Sequence, residues 1–191
     1  MRIAILGSGA GTTAASIMDA SGTSIRAEVC LVISNNSRSG VLDLARERGI
    51  PTLHLSGKTH PAPDLRDAAM TEALEASGAQ LLVLAGYLKK IGPRTLRRWA
   101  GNIVNTHPAL LPAYGGPGMY GDRVHQAVLT DRATTTGASI HLVTAEYDEG
   151  PVLAQVQVPV EPNDDVPHLR TRVQAAEKAL LLGWLSERCA L

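Results

Sequence analysis

Apolar residues along the chain fall into short runs, with longer amphipathic stretches between them. The runs are rich in aliphatic and β-branched residues and predict strands at 3–6, 27–34, 51–55, 81–85, 102–105, 138–143 and 152–158. Apolar residues at helical spacing predict helices over 12–20, 41–48 and 65–76, with Thr12, Ser39 and Asp64 as candidate caps. Strands that alternate with helices indicate an α/β domain built on a parallel sheet.

The second half of the chain departs from this pattern in three places. The segment VLAQVQV (152–158) alternates apolar and polar residues, which is typical of an edge or antiparallel strand. Residues 165–187 predict one long amphipathic helix, despite Pro167 near its start. Residues 112–122 contain four glycines and two prolines and predict an irregular loop, and a loop of that length in a compact domain is usually functional or mobile.

Composition narrows the class of protein and of partner. The chain has 191 residues, of which 45% are apolar and 3% aromatic, and 18 basic residues balance 18 acidic ones. The absence of net charge argues against a nucleic-acid partner and favours a small molecule. Cys30 and Cys189 have no paired spacing, so we expect neither a zinc site nor a disulfide, and a reducing cytoplasm fits best. An initial apolar run of four residues is too short for a signal peptide, and no run approaches the length of a membrane span.

A glycine-rich loop, GSGAGTT (7–13), follows the first predicted strand and opens a helix. Backbone N–H groups and the helix dipole hold anions in that geometry. The dinucleotide pattern G-x-G-x-x-G requires glycine where Thr12 stands, and the second strand ends at Ser34 without a carboxylate for a ribose. The loop therefore favours a monophosphate over NAD, although a glycine-rich turn can also serve packing alone.

The segment NTHPALLP (105–112) carries the strongest candidate chemistry. Asn105 and His107 lie two residues apart on an extended chain, so their side chains share one side, and Pro108 keeps His107 out of a helical conformation. An asparagine amide can donate to a developing oxyanion, and a histidine can move a proton near neutral pH. The pair indicates acyl transfer or hydrolysis without a covalent nucleophile. The alternative is a structural histidine that caps the end of a strand.

Carboxylates and further histidines extend this candidate site. The segment YDEGPV offers Asp148 and Glu149 as partners for His107, and their spacing does not decide between them. His141 either points to the site from its strand or is a core histidine bound to a backbone carbonyl. His54, His60, His125 and His168 are interpreted as incidental, and since no histidine pair has metal-ligand spacing we expect no catalytic metal. The basic run after the fourth strand is a solvated face or a dock for an anionic ligand: Lys89, Lys90, Arg94, Arg97 and Arg98.

Four motifs in this order resemble a known family: SGAGT, LAGYLKKI, N-x-H-P-x-L-L-P, and TGASIHLV followed by YDEGPVLAQ. Along essentially its whole length, the chain resembles the folate-dependent phosphoribosylglycinamide formyltransferases of purine biosynthesis. The resemblance implies transfer of a formyl group from 10-formyltetrahydrofolate to the amine of glycinamide ribonucleotide. Asn105 would stabilise the oxyanion, His107 would relay protons, and Asp148 would position and charge His107.

The same resemblance implies one Rossmann-like formyltransferase domain over 1–191, with a mostly parallel twisted sheet, helices on both faces and a long C-terminal helix. Residues 1–100 would form the nucleotide-binding half, and 101–191 the catalytic and folate-binding half. The implied substrate contacts are Gly11, Thr12, Thr13, Gln174 and Glu177. The implied folate contacts are Arg66, Leu88, Lys89, Lys90, Ile91, Asn105, Thr144, Ala145, Glu146, Tyr147 and Asp148.

Two departures from the family pattern keep other functions open. Thr13 stands where the family commonly has asparagine, and the 112–122 loop is longer than the shortest family versions. The alternatives are a related formyltransferase acting on a different amine, a formyltetrahydrofolate hydrolase in which water replaces the amine, and a non-catalytic nucleotide-binding protein. We expect a monomer or homodimer without nucleic-acid or membrane partners.

Overall fold

The computed structural model describes residues 1–190 and contains a seven-stranded sheet. The strands are β1 (Arg2–Leu6), β2 (Glu28–Ser34), β3 (Thr52–His54), β4 (Leu81–Leu84), β5 (Ile103–His107), β6 (Thr135–Leu142) and β7 (Val152–Pro159). Their order in the sheet is β3-β2-β1-β4-β5-β6-β7. Pairing is parallel from β3 to β5 and antiparallel between β6 and β7. The predicted mostly parallel sheet is confirmed, and so is the antiparallel character of VLAQVQV.

Six helices are present in the described part of the chain. They are α1 (Thr12–Ala20), α2 (Gly40–Glu47), α3 (Pro63–Ala76), α4 (Pro93–Arg98), α5 (Asp122–Thr130) and α6 (Val166–Ala190). The sequence predicts α1, α2, α3 and α6 but misses the two others. The six-residue α4 is too short to show a helical period, and α5 begins directly after a glycine-rich loop that hides its start.

The helix starts differ from the predicted caps in two of three cases. Gly11, with φ of 81°, precedes α1, so Thr12 is the first helical residue rather than the cap. Ala62 precedes α3, whose first residue is Pro63, and Asp64 lies in the first turn. Ser39 does precede α2, but its hydroxyl lies 2.8 Å from the Ser34 hydroxyl instead of capping the helix.

Contacts between Cα atoms divide the chain into two compact units. One contains Met1–Asn105 with the end of α6 from Leu185 onward, and the other contains Thr106–Trp184. In the first unit β1 lies between β2 and β4. The chain therefore runs from β1 to β2 and β3 on one side of β1, and then crosses to β4 on the other side. Right-handed crossovers then place α1 and α2 on one face of the sheet and α3 and α4 on the other. The carboxyl ends of these strands are where such sheets bind ligands.

The long helix α6 buries one row of residues at four-residue spacing. Leu169, Val173, Leu181 and Leu185 are each at most 1% exposed, and Glu177 lies in the same row at 8%. A carboxylate in an apolar row needs a partner, and Glu177 accepts a hydrogen bond of 2.8 Å from the Thr106 hydroxyl. Among residues 1–190, no helix has the length and apolarity that a membrane crossing requires.

The entry to α4 is held by a buried carboxylate on α3. Asp67 accepts hydrogen bonds from the backbone N–H of Arg94 at 2.7 Å and of Thr95 at 3.1 Å, and from the Thr95 hydroxyl at 2.6 Å. A Cβ at position 92 would lie 2.1 Å from the Asp67 carboxyl carbon, so the close approach requires Gly92. Asp67 therefore caps a helix other than its own and fixes the chain that follows residues 88–91.

We expect Asp67→Ala to lower the free energy of unfolding by about 2 to 3 kcal/mol, because three donors lose their acceptor at a buried position. Urea denaturation of the purified variant measures the change. Glu72→Ala, at an exposed position of the same helix, is the matched control and should stay within about 0.5 kcal/mol of the parent. Equal losses in the two variants would contradict the capping role.

Candidate active site

His107 is the last residue of β5 and is 3% exposed. Its Nε2 lies 2.7 Å from the backbone carbonyl oxygen of Tyr114. Because a carbonyl oxygen can only accept, Nε2 carries the proton of this hydrogen bond. The neutral ring therefore has its lone pair on Nδ1, the nitrogen directed at Asp148.

Asp148 lies in the loop between β6 and β7, with a positive φ of 58°. Its Oδ2 accepts a hydrogen bond of 2.9 Å from the backbone N–H of Gly116 and lies 3.6 Å from Nδ1 of His107. Its Oδ1 lies 3.4 Å from Nε2 of His141. The carboxylate is thus held between two imidazoles, and the exposed Glu149 is not. This geometry selects Asp148 from the two acids that the sequence left open.

The charges of this cluster follow from burial and from its mutual contacts. Burial lowers the pKa of His107, and the Asp148 carboxylate and the Tyr114 carbonyl offset that effect only in part. Burial alone would raise the pKa of Asp148, but the hydrogen bond from His141, the charge of His107 and the Gly116 N–H lower it overall. Both shifts act in the same direction at neutral pH, since they favour a neutral imidazole at His107 and an ionised carboxylate at Asp148.

His141 approaches the cluster from β6. Its Nδ1 faces the backbone carbonyl of Leu142 at 3.0 Å, while its Nε2 faces Asp148. The sequence left open whether His141 binds a backbone carbonyl or points to the site, and in the structure it does both. The register between β6 and β7 shifts between Ile140 and His141, and such irregularities redirect side chains next to functional sites.

His125, interpreted from the sequence as incidental, is buried on α5. Its Nδ1 has no hydrogen-bond partner within residues 1–190, and burial lowers its pKa. Asp122 raises that pKa, whereas Arg170 and His107 lower it. Because the sequence predicts no helix at α5, it also does not predict that His125 is buried.

The loop between β5 and α5 contributes backbone rather than side chains to the cluster. Tyr114 supplies a carbonyl to His107, and Gly116 supplies an N–H to Asp148. A Cβ at Gly115 would lie 2.7 Å from the Leu111 side chain and 3.3 Å from Cβ of Asp148. The predicted irregular loop is therefore part of the site, and only glycine fits at its point of closest approach.

Asn105 precedes His107 by two residues on β5 and is partly exposed. Strand alternation places these two side chains on one side and Thr106 on the other. Thr106 contacts Glu177 of α6, so that carboxylate meets β5 on the side away from His107. Gln174, the other predicted substrate contact on α6, is exposed.

In the first unit, the glycine loop packs closely on α2. A Cβ at Gly11 would lie 2.7 Å from Cα of Val41, and one at Gly40 would lie 2.7 Å from the Ala10 carbonyl oxygen. Within the described residues no side chain caps α1, whose first turn contains Thr12 and Thr13. The loop therefore presents a helix start formed by backbone, as an anion site requires.

Ser8 connects this loop to the segment after β4, a contact that the sequence did not indicate. Its hydroxyl donates to the Asn35 side chain and accepts from the N–H of Leu88 at 2.9 Å, and its own N–H donates to the Gly86 carbonyl at 3.1 Å. The sequence feature that could have indicated this contact is the position of Ser8, a small polar residue between two glycines just after a buried strand.

The predicted folate contacts lie in two places. In the first unit Leu88, Lys89 and Lys90 are exposed and Ile91 is buried, so Ile91 can offer only its backbone to a ligand. Arg66 donates to the His60 carbonyl at 2.8 Å, and burial raises the pKa of nearby Tyr87 to about 12. In the second unit Thr144, Ala145, Glu146 and Tyr147 form an exposed turn, in which the Thr144 hydroxyl donates to the Glu146 carbonyl at 3.2 Å.

No group of three or more histidine, cysteine, aspartate or glutamate side chains in residues 1–190 is arranged to hold a metal ion. The cluster of His107, His141 and Asp148 is instead satisfied by its own contacts and by the loop backbone.

With this fold and these motifs, the chain belongs to the formyl transferase family, whose sequence profile matches residues 1–185. Several of its relatives are named phosphoribosylglycinamide formyltransferase. It is 37% identical over 190 residues to the chloroplastic enzyme of Arabidopsis thaliana, covering 98% of this chain and 65% of that protein. It is 37% identical over 182 residues to the enzyme of Mycobacterium tuberculosis H37Rv, covering 95% of this chain and 81% of that protein.

Solved structures give the same family. Glycinamide ribonucleotide transformylase 1 from Symbiobacterium toebii superposes with a TM-score of 0.90 at 34% identity, covering 97% of this chain and 86% of that chain. A formyltetrahydrofolate deformylase from Pseudomonas syringae has a TM-score of 0.86 at 22% identity, covering 99% of this chain and 61% of that one. The fold is therefore shared by a glycinamide ribonucleotide transformylase and a formyltetrahydrofolate deformylase, so the fold alone does not identify the acceptor.

Proposed function

We propose that this protein transfers a formyl group from 10-formyltetrahydrofolate to the amine of glycinamide ribonucleotide. One observation carries the proposal: a buried imidazole whose Nδ1 lies 3.6 Å from the Asp148 carboxylate, two residues after an asparagine at the end of a parallel strand. The named relatives that this chain resembles support the same reaction and the same acceptor.

The reaction needs a proton donor and acceptor but no nucleophilic side chain. The acceptor nitrogen bonds to the formyl carbon, the formyl oxygen takes up negative charge, and the bond to the folate nitrogen breaks as that nitrogen gains the proton that the amine loses. Asn105 would donate its side-chain amide to the oxyanion, and His107 would carry the proton between the two nitrogens. Asp148 would hold the ring and stabilise the imidazolium formed midway.

His107 cannot perform this step in the arrangement described above, because neither ring nitrogen is open to a substrate. Nε2 is bound to the Tyr114 carbonyl, and Nδ1 faces Asp148. A substrate amine can replace the Tyr114 carbonyl at Nε2 if the loop after β5 moves and the ring proton passes from Nε2 to Nδ1. Nδ1 then donates to Asp148, and the lone pair of Nε2 is free to accept the proton of the amine. The proposed catalytic cycle therefore includes a displacement of this loop.

Both units contain residues that we propose as contacts for the nucleotide or the folate. In the first unit, the backbone of Gly11, Thr12 and Thr13 would hold the substrate phosphate at the start of α1, and residues 88–91 are proposed folate contacts. In the second unit, the proposed folate contacts are the exposed residues 144–147. Thr13 leaves the backbone donors intact and alters only the side chain at the phosphate. Gln174 and Glu177 would contact the rest of the nucleotide.

Formyl transfer measured against a panel of acceptors tests the proposal. We expect glycinamide ribonucleotide to be used at a kcat/KM at least about a hundredfold above that of its dephosphorylated nucleoside, because the phosphate contributes binding energy at the glycine loop. Water, measured as hydrolysis of the formyl donor without an acceptor, is the control reaction.

Equal rates with the nucleotide and the nucleoside would contradict the phosphate contact. Turnover of the donor that is independent of any amine would identify a hydrolase, and preference for another amine would identify a different formyltransferase.

A further inference from the structure

The second unit contains a polar cluster next to the proposed site, with one buried and one exposed member, that none of the assigned roles uses. Ser139 on β6 and Gln155 on β7 are direct partners in the antiparallel register, so their side chains lie on one face of this strand pair. Ser139 is 0% exposed. We call these two side chains the Ser139–Gln155 clamp.

The clamp binds backbone groups that have no strand partner. The Ser139 hydroxyl donates to the Ala109 carbonyl at 2.6 Å and accepts from the Leu111 N–H at 3.0 Å. The Gln155 amide donates to the Ser139 hydroxyl at 2.8 Å and to the Leu111 carbonyl at 2.9 Å. The single donor and both acceptor sites of the hydroxyl are therefore used, as are both protons of the amide.

These contacts determine the path of the chain that leaves His107. Residues 108–113 run from His107 to Tyr114, whose carbonyl holds Nε2 of the same histidine. The prolines at 108 and 112 lack N–H groups, so few backbone donors are available to fix this segment in any other way. A Cβ at Gly137 would lie 2.7 Å from the Leu110 side chain and 2.0 Å from the Val156 carbonyl oxygen, which shows how closely the segment packs on the strand pair.

We propose that Ser139 and Gln155 are positioning residues that set the ring of His107 by fixing residues 109–111. Neither side chain touches the reacting groups. The clamp holds the first residues of the loop in place. The Tyr114 carbonyl could then move away from Nε2 while the backbone of His107 stays where it is. The catalytic consequence rests on the proposed function, whereas the placement of the ring does not.

Ser139→Ala and Gln155→Met remove the hydrogen bonds and approximately keep the volume. In formyl transfer we expect each to lower kcat by about tenfold or more while KM for either substrate changes by less than about threefold. Because both residues act through one segment, the double variant should be within about twofold of the more severe single variant. Val158→Ala, a buried apolar position of the same strand, is the matched control for lost stability and should keep the parent kcat.

A second measurement does not depend on the reaction. In NMR spectra of uniformly ¹⁵N-labelled protein, the Nε2–H proton of His107, assigned by its absence from His107→Asn, should be visible in the parent and in Val158→Ala. It should be lost to solvent exchange or clearly displaced in Ser139→Ala and Gln155→Met.

An unmoved Nε2–H signal in both clamp variants would overturn the proposal, and so would kcat values equal to that of Val158→Ala. If the parent transfers no formyl group to any amine but the signal still depends on the clamp, the proposed function fails and the positioning role stands.

Discussion

His107→Ala is expected to lower kcat for formyl transfer by at least about a hundredfold, the usual contribution of general acid–base assistance. The physical reason is specific to this site. Asn105 can still donate to the oxyanion, but within the described cluster no other group is placed to carry a proton from one nitrogen to the other. Steady-state kinetics at saturating concentrations of both substrates measures the loss.

The variant should fold, because the His107 side chain makes one hydrogen bond to a loop carbonyl and one contact with Asp148, whereas the core of the described residues is built from apolar side chains. Circular dichroism and thermal unfolding verify this. His168→Ala is the matched control, since that histidine is exposed and its partner Asp165 is a surface carboxylate whose ion pair is worth little. Retention of more than about a tenth of the parent kcat in His107→Ala would remove the proton relay from the mechanism.

Most of the sheet could be predicted because its strands are runs of buried aliphatic residues, and their order along the chain alternates with helices. The strand β7 could also be recognised, since one of its faces is less buried than the other. The spacing of Asn105 and His107 on β5 followed from the same local rule, because strand alternation depends only on the backbone. Such features can be predicted from local sequence patterns because they do not depend on contacts between distant parts of the chain.

The family resemblance implied Asp148 as the partner of His107, but spacing alone left Glu149 open, because the choice depends on the backbone conformation of the acid. Asp148 adopts a positive φ, and that conformation, set by the loop around it, turns its carboxylate towards the two imidazoles. Gly150 permits the loop to close, since a Cβ there would lie 1.8 Å from the Leu142 carbonyl oxygen. Spacing along the sequence contains neither of these facts.

The backbone contacts of the site could be predicted from the sequence even less than the partner of His107. Tyr114 acts through its carbonyl and Gly116 through its N–H, groups that almost every residue has, so the sequence does not distinguish them. Ser139 and Gln155 lie in predicted strands, and nothing in the strand pattern marks their contacts with the loop. Glu177 was different, because it occupies an apolar row of α6 at four-residue spacing. A single carboxylate in such a row signals a buried partner, which the structure identifies as Thr106.

Asp148→Asn is expected to lower kcat by about a hundredfold and to change the pH dependence of kcat/KM in a defined direction. The Asp148 carboxylate raises the pKa of His107 against the larger opposing effect of burial. Without that negative charge the pKa of His107 falls further below its ordinary value. The base stays deprotonated to lower pH, so the acidic limb of the profile should move to lower pH.

Asparagine keeps the size of the side chain and an oxygen for the Gly116 N–H, and it places an amide nitrogen where an oxygen faces His141, so the change removes the charge and one acceptor. Glu149→Gln, at the exposed neighbouring position, is the matched control and should leave both kcat and the acidic limb in place. If the limb stays fixed in Asp148→Asn but moves in Glu149→Gln, the charge that acts on His107 comes from Glu149. That outcome would require the loop to exchange the two acids when substrates bind, because in the described structure only Asp148 lies between the imidazoles.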